Sequence, residues 1–162
     1  MPKLKRLLLE NACYHITTRG NQRQTVFDEE SDYKHYLMLL VRYKKRYGFK
    51  LHGYCLMPNH VHLIGEWMYP LDLSNVMHDL NRAYTSYFNF CYKKVGHLWQ
   101  GRFKSRVIVK DRYLINCITY IELNPVRANI IDNPMDYLWS SYSERVTEKA
   151  NNGVKLLDDF YV

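Results

Sequence analysis

The sequence predicts an α+β domain whose elements follow the order β-α-β-β-α-β, with one further helix appended. Three observations predict it. Four stretches read as strands, with glycine, proline or asparagine at their turns. Two stretches with helical spacing of apolar residues separate the first strand from the second and the third from the fourth. Only Pro58 and Asn59 join the second and third strands, which makes that pair a hairpin.

Each element has its own local reason. "ACYHITTRG" (12–20) alternates and carries β-branched residues, so it reads as a strand that ends at Gly20. "NQRQTVFDEE" (21–30) is a polar connection. Ser31 or Asp32 is placed to cap a helix through "YKHYLMLLVRYKKRYG", with Leu37, Leu40 and Val41 at helical spacing and Gly48 closing it. "FKLHGYCLM" (49–57) and "HVHLIGEW" (60–67) are the hairpin strands. "DLSNVMHDLNRAYTSYFNFCYKKVG" (72–96) is a long amphipathic helix, with Leu73, Val76, Leu80, Ala83, Tyr87 and Phe90 on its apolar stripe. "GRFKSRVIV" (101–109) is a fourth strand, and "DRYLINCITYIEL" (111–123) a helix that starts near Asp111. The rest reads as short turns and a polar, weakly patterned end. The order is the split βαβ, ferredoxin-like or RRM-like arrangement, whose antiparallel sheet places the first and third strands at its centre.

The 162 residues suit one domain over 1–162, with its core at about 12–142 and a C-terminal tail over 143–162. Hydrophobic residues make up 47%, which predicts a packed core. The net charge of +7 and the pI of about 9.2 favour a polyanionic partner. Charge alone does not separate DNA from RNA, or either from an acidic membrane surface. The leucine run of "MPKLKRLLLE" is too short for a signal peptide or a membrane span, so no membrane association is expected. Cys13, Cys55, Cys91 and Cys117 are scattered without a CxxC pair and read as reduced thiols of a cytoplasmic protein.

The chemistry centres on "YCLMPNHVHLIG" (54–65). Strand side chains alternate, so His60 and His62 project to one side, about 7 Å apart. Two neutral imidazoles so placed can share one divalent cation. They can also be satisfied polar residues beneath a helix. Val61, Leu63 and Ile64 make the setting dry, where unpartnered imidazoles are costly. A structural zinc site using Cys55 lacks a fourth ligand in the sequence.

Tyr120 and Asn124 in "TYIELNPVR" lie one helical turn apart and so share a face. Tyr120 is a candidate nucleophile and Asn124 a candidate carbonyl ligand. Equally, Tyr120 can be core, and Asn124 can cap a new turn with Pro125 at its first position. Between residues 93 and 112, Lys93, Lys94, Arg102, Lys104, Arg106, Lys110 and Arg112 face a single acid, Asp111, with Trp99 and Phe103 among them. On the fourth strand Arg102, Lys104 and Arg106 share a face. Cations interleaved with aromatics suit nucleic acid, and a solvated face is the plainer alternative. "RYKKR" (42–46) reads as a solvated helix face.

"GYCLMPNHVHLI", "WQGRFKSR" and "YIELNPVRA", in that order, resemble the single-tyrosine HUH transposases, in particular the REP-associated tyrosine transposase branch. "ITTRGNQRQTVF" (16–27) is similar to that branch's N-terminal motif, and the resemblance covers about residues 12–142. It implies that His60 and His62 are metal ligands around Val61, that Tyr120 is the catalytic tyrosine and that Asn124 supplies the third ligand. It implies Mg²⁺ or Mn²⁺ as cofactor, and imidazole ligation favours activity with Mn²⁺ as well. The implied reaction is cleavage and strand transfer on single-stranded DNA at REP-like hairpins, through a 5′-phosphotyrosine. Arg19, Arg23, Arg102, Lys104 and Arg106 are the candidate DNA contacts. A bacterial, cytoplasmic and nucleoid-associated location follows from the same resemblance, with a monomer or homodimer as the assembly. By spacing alone Tyr113, two turns before Tyr120, is a rival nucleophile. From a different class, a non-catalytic RNA- or DNA-binding module on the same sheet fits the basic strand without metal. A replication-initiator or relaxase-type HUH enzyme fits less well, because its motif order differs and its chain is longer.

Overall fold

The computed structural model describes residues 9–151 and 153–159, so the basic opening at 1–8 lies outside the described residues. Strands β1 (Ala12–Arg19), β2 (Lys50–Met57), β3 (His60–Trp67) and β4 (Lys104–Ile108) form one sheet in the order β2-β3-β1-β4. Every neighbouring pair is antiparallel, and β1 and β3 are central as the element order predicts. Helices α1 (Glu30–Tyr47) and α2 (Pro70–Tyr92) are the two crossovers. They are followed by α3 (Arg112–Glu122), the single-turn α4 (Asn124–Arg127) and α5 (Tyr142–Thr147).

The sheet has two different faces because its strands alternate. Tyr14 and Ile16 of β1 and Val61, Leu63 and Trp67 of β3 are buried with α1 and α2. Phe49 stacks on Trp67 at 4.8 Å, and Tyr14 meets the same indole edge-on. The other face carries His15, Thr17, His60 and His62, with α3 laid over β2 beside them. At Gly53 of β2, Ile118 and Ile121 of α3 approach to within van der Waals contact of where a Cβ would stand, which shows how closely the helix lies on this strand.

Three local expectations change. Helix α1 begins at Glu30, and Asp32 caps it from inside the first turn, accepting from the N–H groups of Glu29 (3.0 Å) and Asp28 (2.9 Å). The hydroxyls of Tyr87 and Tyr92 also donate to that carboxylate. Burial opposes its ionisation, but these donors outweigh burial and hold Asp32 below the usual carboxyl range. The apolar stripe of α2 advances in steps of four after Leu80, through Tyr84 and Phe88, so Phe90 is 87% exposed rather than core. The helix ends at Tyr92 because Lys93 turns left-handed (φ 52°). Strand β4 starts only at Lys104, so Arg102 sits in the preceding loop and shares no strand face with Lys104 and Arg106.

The C-terminal segment is tied down over its described residues. Leu56 N–H donates to Trp139 O (2.8 Å) and Ser141 N–H to Tyr54 O (2.9 Å), which covers the outer edge of β2. Buried Glu122 accepts from Ser141 Oγ (2.6 Å) and Arg145 Nε (2.9 Å), and Glu144 accepts from the N–H groups of Leu156 and Leu157. Long-range bonds rather than apolar patterning specify this part of the chain. Among the described residues no helix is long and apolar enough to cross a membrane.

Candidate active site

Three segments meet at the start of β3. Gly20 ends β1 there; its N–H donates to Asn59 O (2.8 Å), and Asn21 N–H donates to Leu98 O (2.7 Å). A side chain at Gly20 would collide with Gln24 O at 2.3 Å, so only glycine permits this junction. The hairpin then sets His60 opposite Arg19 and Met57, and His62 opposite Thr17 and Cys55.

The two imidazoles present the same nitrogen to one point. Their rings are 4.9 Å apart and inclined at 83°. The Asn124 side-chain amide lies 3.4 Å from His60 Nε2 and 3.2 Å from His62 Nε2. Leu123 occupies the cap position of α4 and Asn124 is the helix's first residue, with its amide directed to the histidines. The Nδ1 atoms face away, to other partners. His60 Nδ1–H donates to Asn59 Oδ1 (2.6 Å), while His62 Nδ1 lies 2.9 Å from His15 Nε2 and 3.4 Å from Thr17 Oγ1.

Burial keeps both rings neutral. It lowers His60 to about 4, helped by Arg19. It lowers His62 to about 3, helped by His15, His60, Arg19 and Arg127. Burial, then Arg106, also lowers His15. Neutral imidazole is the metal-binding form, and two Nε2 lone pairs beside a rotatable carboxamide form a donor set that suits a divalent ion.

Tyr120 is 54% exposed on α3, one turn before Asn124. The Arg127 guanidinium lies over its ring, 3.9 Å from the centroid, and also donates to the Tyr120 carbonyl. Tyr113 is exposed as well, near the start of the same helix.

Four of the five candidate DNA contacts come together. Arg19, Arg23, Arg102 and Lys104 line a cavity of about 220 Å³ with Thr17 and Gln100. Thr17 is also a neighbour of His62, so the cavity adjoins the histidines. Arg106 lies further along β4, opposite His15. Among the described residues none of these five cations has a carboxylate partner, a layout that leaves them available to phosphates. At the far end of the same face, Cys13, His52 and Glu66 also group closely enough to hold a cation. There Lys110 already pairs with Glu66, and His52 Nε2 lies 3.3 Å from the same carboxylate.

Sequence reasoning misses His15, Asn59 and Arg127. Asn59 was legible only as a turn residue, although its place beside His60 put it within reach. Nothing in the sequence links His15 to His62 across 47 positions.

Residues 9–124 match the family described as "Transposase IS200 like". A Haemophilus influenzae protein that carries the name REP-associated tyrosine transposase is 26% identical over 113 residues, covering 63% of this chain. The chain spans 64% of the length of that relative. Among solved structures, a REP-associated tyrosine transposase bound to a REP hairpin superposes over 100% of both chains, with a TM-score of 0.73 and 17% identity. A Deinococcus radiodurans protein described as a transposase covers 75% of this chain, and 96% of its own, at a TM-score of 0.50 and 20% identity. At these identities the two structures establish the fold.

Proposed function

The chain belongs to the IS200-like transposase family, as its motifs imply, and from that premise we propose that it cleaves and rejoins single-stranded DNA at hairpins. The observation that carries this reading is the convergence of two neutral Nε2 atoms and the Asn124 amide one helical turn from an exposed tyrosine. His60, His62 and Asn124 hold a divalent cation, Mg²⁺ or Mn²⁺. For that, Asn124 presents its carbonyl oxygen, a half-turn about its terminal bond from the orientation seen. When bound, the cation polarises and orients the scissile phosphate as a Lewis acid.

The chain's own groups supply the rest. The Tyr120 hydroxyl attacks phosphorus in line. A Tyr120 Oη–P bond forms as the P–O3′ bond breaks, which leaves a 5′-phosphotyrosine and a 3′-hydroxyl. The phenol proton is released, and the leaving 3′ oxygen takes one up. One phosphodiester replaces another, so no ATP is consumed. The 3′-hydroxyl of a second strand reverses the step and completes the transfer. Arg127 restrains the Tyr120 ring from above. Arg19, Arg23, Arg102, Lys104 and Arg106 hold the backbone of the strand at the cavity beside Thr17. The REP hairpin bound in the similar structure supports a REP-like hairpin as the substrate class. The reaction takes place in one domain, on nucleoid DNA in the cytoplasm.

The test is covalent capture. Wild type incubated with hairpin-bearing single-stranded DNA and Mn²⁺ should give a denaturant-resistant adduct, and Tyr120→Phe should give none. A wild type that binds the DNA but forms no adduct, across varied hairpins and metals, would make the chain a non-catalytic binding module instead.

A further inference from the structure

The two histidines are held in different ways. His60 is fixed by its neighbour in sequence. Asn59 donates through Nδ2 to the Arg23 carbonyl (3.5 Å), which turns its Oδ1 toward His60 Nδ1 (2.6 Å). That ring must then carry its proton on Nδ1 and leave its lone pair on Nε2. His62 has no such neighbour. Its Nδ1 meets His15 Nε2 at 2.9 Å, with ring centres 5.1 Å apart and planes inclined at 29°. A contact this short between centres this far apart means that the rings meet edge to edge, the arrangement of a directed N–H···N bond. The other nitrogen near it, His62 Nε2, is the one shared with His60 and Asn124. Thr17 Oγ1 is further from Nδ1, at 3.4 Å.

From this geometry we infer that His15 is a positioning residue. It accepts the Nδ1–H of His62 and so holds that ring in the tautomer and orientation that leave Nε2 open to a cation. His15 does not itself touch the ion, because it lies on the opposite side of the His62 ring. Partners of this kind commonly contribute tenfold to a hundredfold in metal affinity. The inference rests on the metal-site reading above.

The experiment has two readouts. Long-range ¹H–¹⁵N correlation of the metal-free protein reports which His62 nitrogen carries the proton. Wild type should show Nδ1–H. Mn²⁺ titration, followed by electron paramagnetic resonance, reports affinity. His15→Phe should weaken Mn²⁺ by about 10- to 100-fold and allow Nε2–H to appear on His62. His15→Gln, whose Oε1 can accept the same proton, should stay within about threefold of wild type. An Nε2–H tautomer in wild type, or a His15→Phe variant with wild-type affinity and tautomer, would overturn the inference. If His15→Phe does not fold, the wild-type tautomer and His15→Gln decide. Failure of the metal reading itself looks different: wild type binds no Mn²⁺, or His62→Ala binds it as well as wild type does.

Discussion

Strand β3 runs through two environments at once. On one side Val61, Leu63 and Trp67 enter a closed aromatic and aliphatic core with α1 and α2. On the other, His60 and His62 aim at each other, with a tyrosine helix and a basic cavity beside them. The first side is filled by the chain's own apolar and aromatic side chains. The second side turns two imidazole Nε2 atoms toward the rotatable Asn124 carboxamide and gathers five cations that have no carboxylate partner among the described residues, an arrangement suited to a metal ion and an anionic strand. Alternation along the strand thus sets His60 and His62 on the site side against Val61, Leu63 and Trp67 on the core side, with Ile64 as a buried neighbour on the histidine side.

If that division holds, substitutions on the two sides fail differently. The largest effect belongs to the histidines. His60→Ala with His62→Ala should abolish Mn²⁺ binding, measured by calorimetry, while urea unfolding at neutral pH changes by less than about 1.5 kcal/mol. A collapse of stability with metal binding retained would put the pair on the structural side. Next is Leu63→Ala, one position along. It should cost about 3 kcal/mol in urea unfolding, yet its folded fraction should bind Mn²⁺ as wild type does.

A smaller effect comes from pH. Burial holds His62 at about 3, below the ordinary 6.5, so the folded chain binds fewer protons than the unfolded one between those values. The stability this ring permits is therefore complete above pH 6.5 and drains as pH falls toward 3. His62→Gln should flatten the metal-free stability curve by up to about 1.4 kcal/mol per pH unit between pH 6 and 4. An unchanged slope would mean that the site is wet. The smallest effect is expected at the cavity. Arg102→Ala should weaken single-stranded DNA binding several-fold and reduce the slope of log affinity against log salt by about one. No change in that slope would remove Arg102 from the DNA path.

The sequence was most informative where one local rule decided the outcome. The Pro58–Asn59 turn placed β3 at residues 60–67, matching the observed strand. The α2 stripe failed after Leu80, because steps of three and of four both fit a helix and only packing against Phe27 and Tyr36 selected Tyr84. Strand β4 was read as too long because Gly101 (φ 63°) and the bond from Gln100 N–H to Arg19 O form a loop that alternation does not reveal. At the site, spacing gave His60 and His62 a shared side and left Asn124 between capping and reaching the pair. Its direction depends on how α3 lies over β2, a tertiary fact. His15 was invisible for the same reason. It reaches His62 through the β1–β3 register, and no one-dimensional pattern carries that register.

The central claim is that Tyr120, and not its rival two turns earlier, makes the covalent bond to DNA. Trypsin should release residues 113–127, "YLINCITYIELNPVR", which carry both tyrosines in one peptide. Tandem mass spectrometry of that peptide, from the Mn²⁺-dependent adduct after nuclease digestion, should place the nucleotide mass on Tyr120. The same mass on Tyr113, or on no tyrosine of this peptide, would contradict the account.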